Sequence, residues 1–308
     1  ELKSKIDQYA KTVLKYDENL LDDNQKIVVK KLYQAAKIMD DIFLDQVYSK
    51  NIELKKKLSA SDDSYDKLLL EYFNINFGPF DRLDHEKPFY DNSVKPSGAN
   101  FYPEDMAKEE FENFVKTHPD KEAEFTSEFT MIRRENDSLK AIPYTDYYKE
   151  QLSQISILMN EAAEYADNPS LKKYLVTRAL AFQTNDYYNS DMAWMDLKDH
   201  TIEVIIGPYE VYEDAMFNYK ASFECFLTLV DPESTEKLKT FANYLDELEN
   251  NLPIPKNHKN FERGSDSPIV VVQEVFSAGD TKSGVQTLAF NLPNDERVRK
   301  AKGSKKVM

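Results

Sequence analysis

The sequence predicts an α+β fold, rich in helix, with a small β core formed late in the chain. Three observations predict it. Apolar residues in the first third, and again over 152–180, recur every three or four positions, the period of a helix with one buried face. Apolar residues over 202–230 alternate and 269–272 is one apolar run, the patterns of half-buried and fully buried strands. Only 7 of 308 residues are glycine, far below the usual ~7 %, which favours helices over loops.

The elements follow in order. Val28, Leu32, Ala35, Met39 and Ile42 make one helical stripe, and residues 61–73 a second, shorter helix. Between Asn74 and Pro103 the texture changes: Gly78-Pro79, Pro88, Pro96 and Gly98-Ala99-Asn100 interleave with aromatics. Long aromatic loops of this kind pack against something and are often functional. Pro103 is expected to open a helix to about Thr117, with Glu104 and Asp105 in its electropositive first turn. Residues 124–143 read as a hairpin turning at Glu135-Asn136-Asp137. Leu152, Ile155, Met159 and Ala162 mark a helix, and Asn168-Pro169 caps and opens another that carries Leu171, Leu175 and Leu180. Ile202, Val204 and Ile206 alternate up to Gly207-Pro208, and Tyr219, Ala221, Phe223, Cys225 and Leu227 alternate again. Asp231-Pro232 caps a helix striped by Leu238, Phe241, Leu245 and Leu248, closed by a loop with three prolines and Gly264. Ile269 to Val272 is a buried strand, Gly279 and Gly284 flank a turn, and Gln286 to Phe290 is expected to be one more strand. The basic tail after Asn294 shows neither a helix cap nor a terminal apolar contact, as though the chain were cut there.

Composition removes several functions. Lysine plus arginine total 40 against 55 aspartate plus glutamate, a net charge of −15. Such a chain repels a phosphate backbone, so nucleic acid is not an expected partner. No apolar run approaches the ~20 residues of a transmembrane helix. Cys225 is the single cysteine, which excludes an internal disulfide and a Cys-rich zinc cluster. His85, His118, His200 and His258 are never three or four apart, so no helical zinc motif occurs and no metal ligand is assigned in this chain.

Two stretches could carry chemistry. In Gly207-Pro-Tyr-Glu-Val-Tyr-Glu-Asp-Ala-Met216, Glu210 and Tyr212 would share one face of a strand. A carboxylate beside a phenol can take an ammonium with the first group and donate to a carbonyl with the second, as a peptide's N-terminus requires; it can also be a plain carboxylate–tyrosine bond at a sheet edge. In Phe290-Asn291-Leu292-Pro293-Asn294, two amides flank a proline just past the expected strand. Amides suit an amine or a peptide backbone, and asparagine near proline is also ordinary turn chemistry.

Together and in this order, the two stretches resemble the dipeptidyl peptidase III family of zinc peptidases, its bacterial branch above all. The most specific portion is Ile206 to Glu224; Phe276-Ser-Ala-Gly279 leading to Asn291-Leu-Pro-Asn294 is a second. Upstream, Asn76-Phe-Gly-Pro-Phe-Asp-Arg-Leu-Asp84, Lys95-Pro-Ser-Gly-Ala-Asn-Phe-Tyr-Pro103 and Asp191-Met-Ala-Trp194 are similar to the same branch. The resemblance implies two lobes around a wide cleft: a lower lobe with a small mixed β-barrel or sheet core, and a helical upper lobe that carries zinc. Residues 1–230 would be lower lobe, 231–267 a helical excursion into the upper lobe, and 268–308 the return to the β core. Such enzymes remove dipeptides from the N-termini of short peptides, which add to the β core as an extra strand. By the resemblance, Glu210, Asn291 and Asn294 bind the substrate's amine and first residues, Tyr212 is the catalytic phenol that donates to the scissile carbonyl, and Gln286 to Phe290 pairs with the peptide. The family's zinc ligands, in H-E-x-x-x-H and a later Glu-Glu motif, lie downstream of the asparagine pair, and this chain ends at Met308 before either. The expectation is the substrate-binding half of a zinc exopeptidase, inactive alone. A non-catalytic peptide-binding protein on the same scaffold is the alternative. The 233–249 helix would then expose its stripe for want of its neighbours. Members of the bacterial branch occur in the cytoplasm or at the cell envelope, and the sequence leaves the compartment open.

Overall fold

A computed structural model describes residues 1–136, 138–242, 244–259 and 269–308. In chain order the helices are α1 (Leu2–Ile6), α2 (Asp23–Val47), α3 (Asn51–Ser59), α4 (Ser64–Asn76), α5 (Lys108–Thr117), α6 (Glu122–Thr126), α7 (Tyr144–Tyr147), α8 (Lys149–Tyr165), α9 (Pro169–Thr184), α10 (Tyr188–Met195), α11 (Pro232–Ala242), α12 (Leu245–Asn251) and α13 (Glu296–Lys302). The strands are β1 (Phe80–Asp81), β2 (Lys87–Pro88), β3 (Thr130–Glu135), β4 (Ser138–Pro143), β5 (Ile202–Glu210), β6 (Ser222–Val230), β7 (Ile269–Val270), β8 (Val272–Gly279), β9 (Phe290–Leu292) and β10 (Lys305–Val307).

Helix α2 is the spine. Asp22 and Gln25 cap it reciprocally, each side chain accepting from the other's backbone N–H at 2.8 and 3.0 Å. Its five stripe residues, Val28 to Ile42, are all fully buried, and each of the four larger ones, all but Ala35, is worth ~1.5–3 kcal/mol against exposure. They pack on α8 and on β5, β6 and β8, which form one antiparallel sheet in the order β5-β6-β8. Both faces of that sheet are covered. One meets α2, where the Gln46 amide oxygen accepts from Phe223 N–H at 2.8 Å. The other meets a second three-stranded sheet, ordered β7-β10-β9: the Phe290 ring lies 4.3 Å from Phe226 and the Lys305 ammonium 3.1 Å from Glu203. Among the described residues the two sheets do not close into a barrel, so the expected small β core is a pair of packed sheets.

Several expectations need correction. The alternation over 202–227 suggested half-buried strands, yet every residue of β5 and β6 but the last is buried, because a sheet covered on both faces has no wet side. The second strand begins at Ser222, not Tyr219. The helix expected from Pro103 starts at Lys108, with Glu109 and Glu110 in its first turn. Leu180, placed on the buried stripe of α9, is exposed. Gln286 to Ala289 is not a strand: the strand starts at the last expected residue and is Phe290–Leu292, because its partner β10 pairs at Phe290, Asn291 and Leu292. The tail is not irregular either. The Asp295 carboxylate caps α13 through Arg297 N–H at 2.8 Å, and Val298 and Val307 are buried. Of the stripe on 233–249, Leu248 is exposed and Leu238 partly so, while the side chains of Phe241 and Leu245, like residues 260–268 with Gly264, lie outside the described set.

Candidate functional site

The site lies where β5 ends. Two features aim its last residues. Gly207 has φ +153°, and a Cβ there would meet the Arg178 guanidinium at 2.7 Å, so only glycine lets the strand pass over that buried cation. Arg178 pairs with Asp191 and lies 5.1–5.6 Å from the rings of Tyr174, Tyr187 and Tyr209. The Tyr209 hydroxyl donates to Asp191 at 3.2 Å. A register shift between Pro208 and Glu210 then bends the strand end.

Glu210 is half-buried at that end. The Asn294 amide donates to the Tyr209 carbonyl at 3.1 Å, which brings it beside the Glu210 carboxyl. Burial raises the Glu210 carboxyl, and Asn294 pulls it back down. Asn291, three residues earlier, is exposed on β9 opposite Lys306. Tyr212 is not on the strand, contrary to the shared-face expectation. It sits on the loop after β5, 77 % exposed, and among the described residues nothing engages its hydroxyl. The fold therefore brings Glu210 and Asn294 together, with Tyr212 and Asn291 two and three residues away along the chain and both open to solvent.

The loop that carries Tyr212 is built by residues the sequence reading missed. Asp214 is fully buried and accepts from the Tyr102 hydroxyl at 2.8 Å and from the N–H groups of Met216, Phe217, Tyr219 and Lys220 at 2.9–3.2 Å. Glu213 takes Arg82 at 2.9 Å and Lys95 at 2.6 Å. Lys220 donates to Phe125 O, Ser127 O and Thr130 Oγ1 at 2.6–2.8 Å, and burial lowers its ammonium to about 7. Segments 76–84, 95–103 and 206–224 thus converge on one loop. The signal was present: Glu213-Asp214 directly follows Tyr212 in the densest polar stretch.

Two further carboxyls, Glu224 and Asp280, lie close enough to Glu210 to feel its charge. Glu224, on β6 opposite both Gly207 and Gly279, is 3 % exposed, and burial drives its carboxyl well above the usual range, with Asp280 and Glu210 adding to the rise. Burial, then Glu213, pushes Asp280 up to about 7. Among the described residues neither Glu224 nor Asp280 makes a side-chain hydrogen bond or ion pair. Carboxyls raised in this way are drawn back to the charged form by a nearby cation.

Glu213 behaves oppositely. Arg82 and Lys95 outweigh its burial and hold it at about 2, against 4.5 unperturbed. A depressed carboxyl stabilises the fold above its unfolded pKa, and the gain is lost as pH falls toward the folded value. The shift corresponds to ~3 kcal/mol. Urea unfolding should show the wild-type advantage over Glu213→Gln intact at pH 6 and mostly gone at pH 2; an advantage independent of pH would reject the ion network.

Gln286 is latched to β8, its amide donating to Ser277 Oγ at 3.2 Å and to the Glu274 carboxylate. From Gln286 the chain runs outside any sheet to β9, with Thr287 N–H donating to Thr281 O at 3.0 Å, and the outer edge of β9 is free of a strand partner among the described residues. Beyond lies a groove of about 1290 Å³ between residues 6–12, α4 and residues 282–288. Among the described residues no three His, Cys, Asp or Glu side chains converge as a metal site requires, and no helix is long and apolar enough to cross a membrane.

Comparison with known proteins supplies the family. The model described as Peptidase family M49 matches residues 94–308. The solved structure of DPP III from Caldithrix abyssi superposes with TM-score 0.97 at 68 % identity, covering 99 % of this chain and 58 % of that one. Dipeptidyl-peptidase III from Corallococcus sp. strain EGB gives TM-score 0.91 at 44 % identity, covering 100 % and 57 %. An Arabidopsis thaliana protein described as Nudix hydrolase 3 is 36 % identical over 360 aligned residues, covering 100 % of this chain and 46 % of that protein. The chain spans about half the length of these relatives. The α+β architecture is that of the solved dipeptidyl peptidases III, and the chain belongs to peptidase family M49.

Proposed function

We propose that residues 1–308 are the substrate-binding portion of a zinc-dependent dipeptidyl peptidase that removes dipeptides from the N-termini of short peptides. The observation that supports this best is the meeting of Glu210 and Asn294 at the end of β5, near the free edge of β9. Ionised Glu210 takes the substrate ammonium, a charge-assisted bond. Asn291 and Asn294 hold the same amine and the first residues. The free edge of β9 and the Gln286–Ala289 segment that leads into it, which belongs to no sheet, take the peptide main chain as an added strand. Tyr212, with its hydroxyl unengaged, donates to the scissile carbonyl oxygen as negative charge develops.

When bound, zinc would supply Lewis-acid polarisation and an activated water. The described residues do not fit it, so its ligands are assigned to sequence beyond this chain. The division proposed follows: 1–230 lower lobe, 231–267 upper-lobe excursion, 268–308 return to the β core. The exposed Tyr244, Leu248, Leu252 and Ile254 accord with an excursion that packs elsewhere.

The test uses a longer protein containing this chain. Tyr212→Phe should lower kcat about 100-fold with KM within threefold, the pattern of a bond made in the transition state. An unchanged kcat removes Tyr212 from the mechanism. The 308-residue chain alone should not cleave dipeptidyl arylamides, and chelator-sensitive cleavage by it would reject the division. Tight calorimetric binding of short peptides by that chain would favour a non-catalytic binding protein.

A further inference from the structure

The groove of about 1290 Å³ meets the reading above only at Gln286 and Leu288. Its floor is α4, through Leu70 and Ile75, and one wall is the loop 282–288. The other wall is the strap of residues 6–12, tied down where Lys5 meets Asp81 at 2.5 Å and the Tyr9 hydroxyl meets Asn76 at 3.3 Å. Three large aliphatic side chains on this one depression stay open: Leu83 is 47 %, Val285 70 % and Leu288 83 % exposed. Aliphatic exposure gathered at one concave place marks a binding surface. The volume exceeds the roughly 300–1,000 Å³ of small-molecule pockets and suits a run of residues.

The occupant follows from continuity with the candidate site. Gln286 and Leu288 line the groove and also belong to the segment, outside any sheet, that leads into β9. A peptide whose amine is held between Asn291 and Asn294 must run antiparallel to that segment, away from Asn294. At ~3.3 Å per residue on both chains, it draws level with Leu288 at about its fifth residue. We propose that this groove is a downstream subsite of the same peptide, accepting apolar side chains from about the fourth residue onward. The inference rests on Glu210 and Asn294 anchoring the amine.

Photo-crosslinking separates the two ideas. An octapeptide with a free N-terminus and leucines downstream carries p-benzoylphenylalanine at position 2 or position 6 and is irradiated, in the presence of a chelator, with a longer protein containing this chain. The position-6 probe should label 67–75 or 282–285, and the position-2 probe 209–212 or 290–294. Position-2 labelling without groove labelling by position 6 overturns the downstream subsite alone. Labelling of neither region by either probe overturns the amine anchor and the subsite with it. By polarisation of labelled peptides, Leu83→Glu, at an exposed position, should weaken the octapeptide about tenfold and leave a tripeptide unchanged; equal affinities of both proteins for the octapeptide overturn the subsite.

Discussion

Replacing Asp214 with alanine should destabilise the fold by ~4 kcal/mol, read as a fall in the urea midpoint at unchanged slope. Asp214 is fully buried and is the acceptor for one phenol and four backbone N–H groups. Alanine would strand those donors away from water, and each buried donor left unpaired costs ~1–3 kcal/mol before the loop relaxes. Relaxation recovers part, so the sum is not reached. Tyr102→Phe deletes one of the five bonds and should cost only ~1 kcal/mol. Asp214→Asn keeps one carbonyl oxygen and should fall between. A loss below ~1 kcal/mol for alanine would mean the loop has another adequate conformation. Function should follow stability here, because residues 213–220 hold the backbone from which Tyr212 projects.

Removing the charge of Glu210 is the second large effect. In a longer protein containing this chain, Glu210→Gln should lower kcat/KM about 100- to 1,000-fold, ~3–4 kcal/mol. Glutamine keeps the shape and the contact with Asn294 but leaves the ammonium facing a neutral amide in a partly buried recess. N-acetylated peptides provide the control: wild type and variant should handle them equally poorly, since no ammonium is present. The pH profile carries the sign. Burial raises Glu210, so it ionises later than a free glutamate, and amine affinity should climb as pH rises through its folded value. Equal losses on free and acetylated peptides would move the anchor elsewhere, Glu224 and Asp280 being the nearest carboxylates that make no pair.

Helices were legible where pattern and cap agreed. The α2 stripe and the Asn168-Pro169 start of α9 needed only spacing and an N-cap, both local. The strands were placed but their environment was not. Glu203 and Glu224 fall between the alternating apolar residues of β5 and β6, where a half-buried strand would face water; they are buried, Glu203 against Trp194, His200 and Lys305. Nothing within ten residues of Glu203 announces Lys305. The end of the chain was misread for the same reason: β10 exists because β7 and β9 flank it, and a three-residue strand has no pattern of its own.

By itself the sequence determined the α+β class and the main helices, which follow from short-range periodicity; Glu210, Tyr212, Asn291 and Asn294 became candidates through the family resemblance of the stretches that hold them. Only the tertiary structure decided that Asn294 reaches the end of β5, that Tyr212 leaves the strand, and that Arg82, Lys95 and Tyr102 fasten its loop. These contacts join positions 85 to 131 residues apart. Their energy depends on burial that no local window contains, because the same ion pair is worth little in water and several kcal/mol once the rest of the chain has excluded it.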